Sequence, residues 1–188
     1  MGIENIKSPN ELYNYMNKNI KYGFVDNNGY IYDTSLKTFE NDLINKWIYR
    51  EPKYIIDNKY GICFDQVLLE SIWFKNNNYV FKTYLIIFEL PYINNYSTHT
   101  FLMYEDNGYW YYFENADFKN RGIYKYNNIN DIIKYRIRDH IKDNKLKGLK
   151  KEEIKYLKVY EYKNIPYNLK FVDYINEIIN NGIEYKIK

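Results

Sequence analysis

Thr98-His99-Thr100-Phe101-Leu102-Met103-Tyr104-Glu105-Asp106-Asn107-Gly108-Tyr109-Trp110-Tyr111-Tyr112-Phe113-Glu114 reads as two β-strands folded back on one another. Both arms are rich in aromatic and β-branched residues, and the Asp106-Asn107-Gly108 step between them is a strong hairpin signal. The register of this hairpin decides which side chains meet. With Asn107-Gly108 as a two-residue loop, Asp106 pairs with Tyr109 and Phe101 lies opposite Glu114. His99 is two residues from Phe101 and shares its face, which makes Glu114 a diagonal neighbour of His99. With Asp106-Asn107 as the loop, Glu114 lies directly opposite His99. In both registers Glu114 faces His99, while Asn115 and Asp117 face away. A three-residue loop with a bulge reverses the parity and turns Asn115 toward the histidine instead.

Working outward, Val80 to Leu90 is a third β-rich stretch, and Tyr124 to Tyr126 can add a further strand. Upstream the period changes. Phe64, Val67, Leu68, Ser71 and Ile72 recur at helical spacing, so Cys63 stands at the first turn of an amphipathic helix that ends at Asn76-Asn77-Asn78. Ser8-Pro9-Asn10-Glu11 has the form of a helix start with a capping box, and Leu36 to Tyr49 is a second helical candidate with Pro52 as its stop. Beyond Ile129 the pattern returns to helix: Ile132, Ile133 and Ile137, then Ile154, Leu157 and Val159, then Phe171, Ile175 and Ile178. The expectation is one α+β domain over residues 1–188, with an antiparallel central sheet. Its core spans about 10–126, and a helical C-terminal region follows over about 127–188.

Composition narrows the function. The 188 residues include 25 tyrosines, as biased codon usage produces and as a tyrosine-rich core accommodates. The formal net charge of +3 is too small for a nucleic-acid-binding face. One basic cluster, Lys142 to Lys151, has carboxylates immediately after it and reads as a solvated loop. No apolar stretch approaches a membrane span, and the N-terminus has no apolar signal-peptide region. These features point to a cytoplasmic protein with no nucleic-acid or membrane partner. One cysteine and two histidines are too few for a typical zinc site, and no phosphate-binding glycine loop occurs. No metal and no cofactor are expected.

The single cysteine and the strand histidine form the one obvious reactive pair. A helix N-terminus offers unpaired N–H groups and a positive dipole end, both of which favour a thiolate and can later hold an oxyanion. Gly61 permits a sharp entry into the helix and a close approach of substrate. His140, in a charged helical stretch, reads as a surface residue. Cys63 as nucleophile, His99 as base and Glu114 as the group that orients the base satisfy the logic of a catalytic triad. Asn115 is the alternative third member. Gln66 and Asn19 are candidate oxyanion donors, and Trp110 in its aromatic strand is a candidate wall of the substrate site.

Gly61-Ile62-Cys63 with Asp65 and Gln66 on the first turn, then His99-Thr100-Phe101, Gly108-Tyr109-Trp110 and Phe113-Glu114, resemble the transglutaminase-like superfamily. Asn19-Ile20-Lys21-Tyr22 and Arg121-Gly122-Ile123 extend the likeness, which covers roughly residues 10–126. Glu114 stands where the family's usual acid is Asp. The resemblance implies a papain-like core and acyl chemistry on protein or peptide amides through a thioester. Hydrolysis or deamidation is favoured over crosslinking, which needs a site that excludes water. The alternative is a catalytically silent binding module on the same fold. Neither reading names a substrate or an oligomeric state.

Overall fold

A computed structural model describes residues 3–90, 95–146 and 156–187. The chain begins with a 3-10 turn (Ile3–Asn5) and helix α1 (Pro9–Asn19). A small hairpin of β1 (Gly23–Val25) and β2 (Ile31–Asp33) follows, then two short helices, α2 (Phe39–Lys46) and α3 (Pro52–Asn58). Helix α4 (Cys63–Asn76) leads into β3 (Val80–Leu90), β4 (Asn95–Asp106), β5 (Tyr109–Glu114) and β6 (Gly122–Tyr126). After α5 (Ile129–Leu146) come β7 (Tyr156–Tyr162), α6 (Phe171–Asn181) and β8 (Ile183–Glu184).

Six strands form one antiparallel sheet in the order β6-β5-β4-β3-β7-β8, so the fold is mixed α+β. Helices cover both of its faces. On one face Tyr84, Ile86, Phe88, Phe101, Met103 and Tyr112 pack against Ile132, Ile133 and Ile137 of α5. On the other, Leu85 and Ile87 meet Cys63 and Phe64 at the start of α4, together with α6. Leu102, Tyr104 and Phe113 meet Val67, Trp73 and Phe74 farther along α4, together with α1. Burial on both faces explains why β3 reads as an unbroken apolar run rather than an alternation.

The hairpin takes the Asn107-Gly108 loop. Asp106 pairs with Tyr109 and the ladder runs to Leu102 opposite Phe113. Asn107 at φ 51° and Gly108 at φ 78° supply the two left-handed residues that a tight type I′ turn demands. Helix α1 starts as its capping residues dictate: Ser8 Oγ accepts the Glu11 N–H at 3.2 Å. Glu11 reaches back to the Lys7 N–H at 2.9 Å, one residue beyond the usual partner.

Other segments depart from expectation. Residues 156–162 form strand β7, where a helix was expected, and β7 pairs with the central strand β3. Val159 faces the α5 side and Tyr160 the α4 side, a period of two that a short apolar run does not distinguish from a helix turn. Thus residues 156–184 place two strands in the same sheet and α6 in the same core as the elements before residue 126. The helix expected over Leu36–Tyr49 is confined to Phe39–Lys46, and Pro52 opens α3 instead of marking a stop, in keeping with its fixed φ. Helix α4 buries far more than one stripe, including Asp65, Gln66, Glu70 and Phe74, while Leu68, Ser71 and Ile72 stay partly open. His140 is half-buried rather than exposed. Its ring stacks on Phe88 at 4.5 Å and its Nε2 meets Ser97 Oγ at 2.9 Å. Of the basic cluster, Lys142 to Leu146 continue α5 and residues 147–151 lie outside the described residues. No helix among the described residues is long and apolar enough to cross a membrane.

Phe74 is fully buried and touches Trp73, Tyr79, Tyr104 and Phe113 with ring centroids 4.6–5.4 Å apart. Phe74→Ala is expected to cost about 3–5 kcal/mol in urea unfolding. A loss below about 1 kcal/mol would contradict the packing of α4 on this face of the sheet.

Candidate active site

The segment that delivers Cys63 is clamped on both sides before α4 begins. Gly61 N–H donates to the Lys21 carbonyl at 3.0 Å, and Lys21 N–H donates to the Lys59 carbonyl at 2.9 Å. Asp65 Oδ2 accepts the Ile62 N–H and the Trp47 indole N–H, each at 3.0 Å. Burial pushes the Asp65 carboxyl up to about 7, against the pull of those two donors. A Cβ on Gly61 would stand 3.0 Å from the Asp65 side chain and 3.2 Å from Ile55. The glycine therefore makes room for the helix's own first turn and not for an incoming substrate.

Cys63 occupies the first position of α4, is buried, and is the one free cysteine. Its side chain interacts with both His99 and Tyr22 and helps to raise their pKa values. Tyr22 follows directly on Lys21, so the same backbone clamp that fixes Gly61 delivers this tyrosine to the sulfur.

His99 on β4 and Glu114 at the end of β5 share the face that Phe101 and Tyr112 turn toward α5. His99 Nε2 lies 2.8 Å from Glu114 Oε2. The imidazole also stacks on Phe101, with rings 6.1 Å apart at 16°. Cys63 belongs to the opposite face of the sheet, yet the two residues meet. The β4–β5 ladder stops at Leu102 opposite Phe113, and Glu114 then leads out of the strand into the turn at Ala116.

Glu114 is held on all sides. Oε2 also accepts the Tyr112 hydroxyl. Oε1 accepts the backbone N–H groups of Ala116 and Asp117 at 2.8 and 2.9 Å. Behind it, Arg136 of α5 is buried, pairs with Asp117 at 3.2 Å and Asp139 at 2.9 Å, and stands over the Tyr112 ring. Burial opposes the Glu114 charge, but His99, Arg136 and Tyr112 together hold its carboxyl below the usual range. Burial likewise opposes the charge on His99. The Glu114 carboxylate outweighs it, and the imidazole stands at about 9. The arrangement is a charged imidazole locked between a carboxylate and a thiol.

The remaining candidates lie elsewhere. Asn115 is buried, its amide contacts Met16 Sδ at 3.8 Å and Glu70, and its Oδ1 has no partner. Gln66 donates to the Gly61 carbonyl at 2.8 Å and so braces the turn before the cysteine. Asn19 donates to the Tyr15 carbonyl of its own helix at 2.7 Å. Trp110 is at the far end of β5, where it lines a separate cavity with Ile129 and Tyr185. Strand length alone removes it from the cysteine: four residues along β5 from Glu114 span about 13 Å. Three residues of the site were not singled out from sequence. Tyr22 and Arg136 reach it only through tertiary packing, and Glu70 lies two turns along α4 from Cys63 on the same side. Burial and the nearby Glu114 charge push the Glu70 carboxyl well above its ordinary value, and its Oε2 has no partner. Among the described residues no group of three or more His, Cys, Asp or Glu is placed to hold a metal ion.

Because the folded pKa of His99 lies above the free value of about 6.5, its ion pair stabilises the fold fully below about pH 6.5. That contribution is lost as pH rises through about 9. It is on the order of 3 kcal/mol. Thermal melts from pH 6 to 10 should show wild type losing this increment relative to His99→Gln, and parallel curves would refute the buried ion pair. No family model, no curated protein and no solved structure matches this chain.

Proposed function

We propose that the chain is a cofactor-free thiol enzyme of transglutaminase-like type, with a papain-like core, acting on protein or peptide amides. The observation that carries this reading is one imidazole bonded to Glu114 at 2.8 Å through Nε2 and interacting with the Cys63 side chain. A structural cysteine needs neither partner. In this reading the imidazolium and the N-terminal end of α4 stabilise a Cys63 thiolate, which attacks the amide carbonyl carbon. The Cys63 N–H at the first position of the helix and the Tyr22 hydroxyl are the candidate donors to the developing oxyanion. His99 gives its proton to the leaving amine as the C–N bond breaks, and a thioester remains. Water, deprotonated by His99, releases the acid and restores the thiol. Glu114 keeps the imidazole oriented throughout and stabilises its charged form whenever it holds the proton. A single reduced thiol suits a cytoplasmic site of action.

A second reading is a silent interaction module on the same fold. It is favoured by the closure of the site: Cys63 is 6% and His99 8% exposed.

Iodoacetamide alkylation of the single thiol separates the two. An active centre should alkylate fast well below the free-thiol pKa of about 8.5. His99→Ala should slow it on the order of a hundredfold at pH 6, and Glu114→Gln should also slow it, by less. A thioester trapped on Cys63 with an amide substrate would complete the case. Alkylation slower than in the denatured chain at every pH, and indifferent to His99, would leave the interaction module as the reading.

A further inference from the structure

The pairing of β7 with β3 stops at Tyr162 opposite Thr83, while β3 itself begins three residues earlier, at Val80. Past Tyr162 the chain turns away through Lys163-Asn164-Ile165-Pro166. A cavity of about 540 Å³ is left between this segment, the first residues of β3 and the partly open side of α4. That volume falls within the range of small-molecule sites. Its apolar walls come from three separate elements: Leu68 and Ile72 of α4, Phe81 of β3, and Ile165. Val80 and Tyr167 flank it and remain 58% and 39% exposed, which marks an apolar surface facing water.

The charges at the cavity are of one sign. Lys75 and Lys163 line it, and no carboxylate does. Neither ammonium makes an ion pair among the described residues, whereas nearby Lys82 is committed to Glu161 at 2.7 Å. An apolar hollow with two uncompensated cations at its margin complements a molecule with an apolar body and one acidic headgroup. We infer that this cavity is a binding site for a small amphipathic anion of the alkyl or aryl carboxylate class. The apolar body lies against Leu68, Ile72 and Phe81, and the headgroup lies between Lys75 and Lys163. Cys63, His99 and Glu114 do not line the cavity, and Ser71 in its lining is eight residues along α4 from Cys63, about 12 Å. The site therefore stands apart from the thiol centre and does not depend on any activity there.

Isothermal titration calorimetry of the full chain with decanoate, decanol and decylammonium below their micelle concentrations tests the assignment. Two variants accompany it: the exposed pair Lys75→Glu/Lys163→Glu, and Ser71→Phe, which fills the hollow. Circular dichroism melts verify that both remain folded. Wild type should bind one decanoate at least tenfold more tightly than decanol. The double variant should lose that preference and favour decylammonium, and Ser71→Phe should weaken all three. Equal affinity for decanoate and decanol, an unchanged ratio in the charge-reversed variant, or undiminished binding in Ser71→Phe would each overturn the proposal.

Discussion

A carboxylate at 2% exposure keeps its charge only if the surrounding fold supplies donors from every direction, and Glu114 is such a group. Its four hydrogen bonds come from two strands and the turn between β5 and β6, and Arg136 adds a fifth, through-space contribution from α5. Each supplier constrains something larger. The His99 bond requires the hairpin parity that the Asn107-Gly108 loop sets, the two N–H bonds require the strand to break at Ala116, and Arg136 requires α5 against that face. A one-residue slip of the hairpin would carry Glu114 to the α4 side and strand the charge there. The hydrogen-bonding needs of this one acid and the packing of the sheet therefore select the same structure.

Three buried acids lie around the cysteine, and the fold treats each differently. Asp65 ties the indole of Trp47 to the start of α4 and sits near the border between its charged and neutral forms. Glu114 stays charged through its histidine and arginine. Glu70 has neither a cation in contact nor a full set of donors, and burial favours its neutral form. Keeping one neutral and one charged avoids two like charges behind the same imidazole. The contrast comes from neighbours alone, since the side chains are chemically equivalent.

What sequence made legible follows from the range of each interaction. The β4–β5 register, the start of α4 at Cys63 and the capping of α1 are local, and turn or cap residues specify them within a few positions. The approach of His99 to Glu114 followed from the hairpin parity. The strand at β7 was hidden because its partner, β3, lies 67 to 79 residues earlier along the paired positions, and a seven-residue stretch interrupted by Lys158 and Glu161 carries no reliable period. Tyr22 and Arg136 were hidden for a related reason. A tyrosine in a tyrosine-rich chain and an arginine in a charged helix look ordinary until packing reveals what they touch. His140 in the same helix was misread in the same way.

The late arrival of β7 also affects how the protein comes into being. β3 is flanked by β4, its immediate successor, and by β7, which follows only after α5. Long loop closure makes that second pairing slow compared with the hairpin. During synthesis the His99–Glu114 hairpin can therefore form while Leu85 and Ile87 still lack Tyr160, Tyr162 and α6 over them. Tyr162 then joins Thr100, one residue from the histidine, to a hydroxyl network that ends at Tyr174. The thiol centre is thus encoded early and enclosed late. A ribosome paused before residue 156 would hold a nascent chain whose cysteine is present but whose shelter is not yet made.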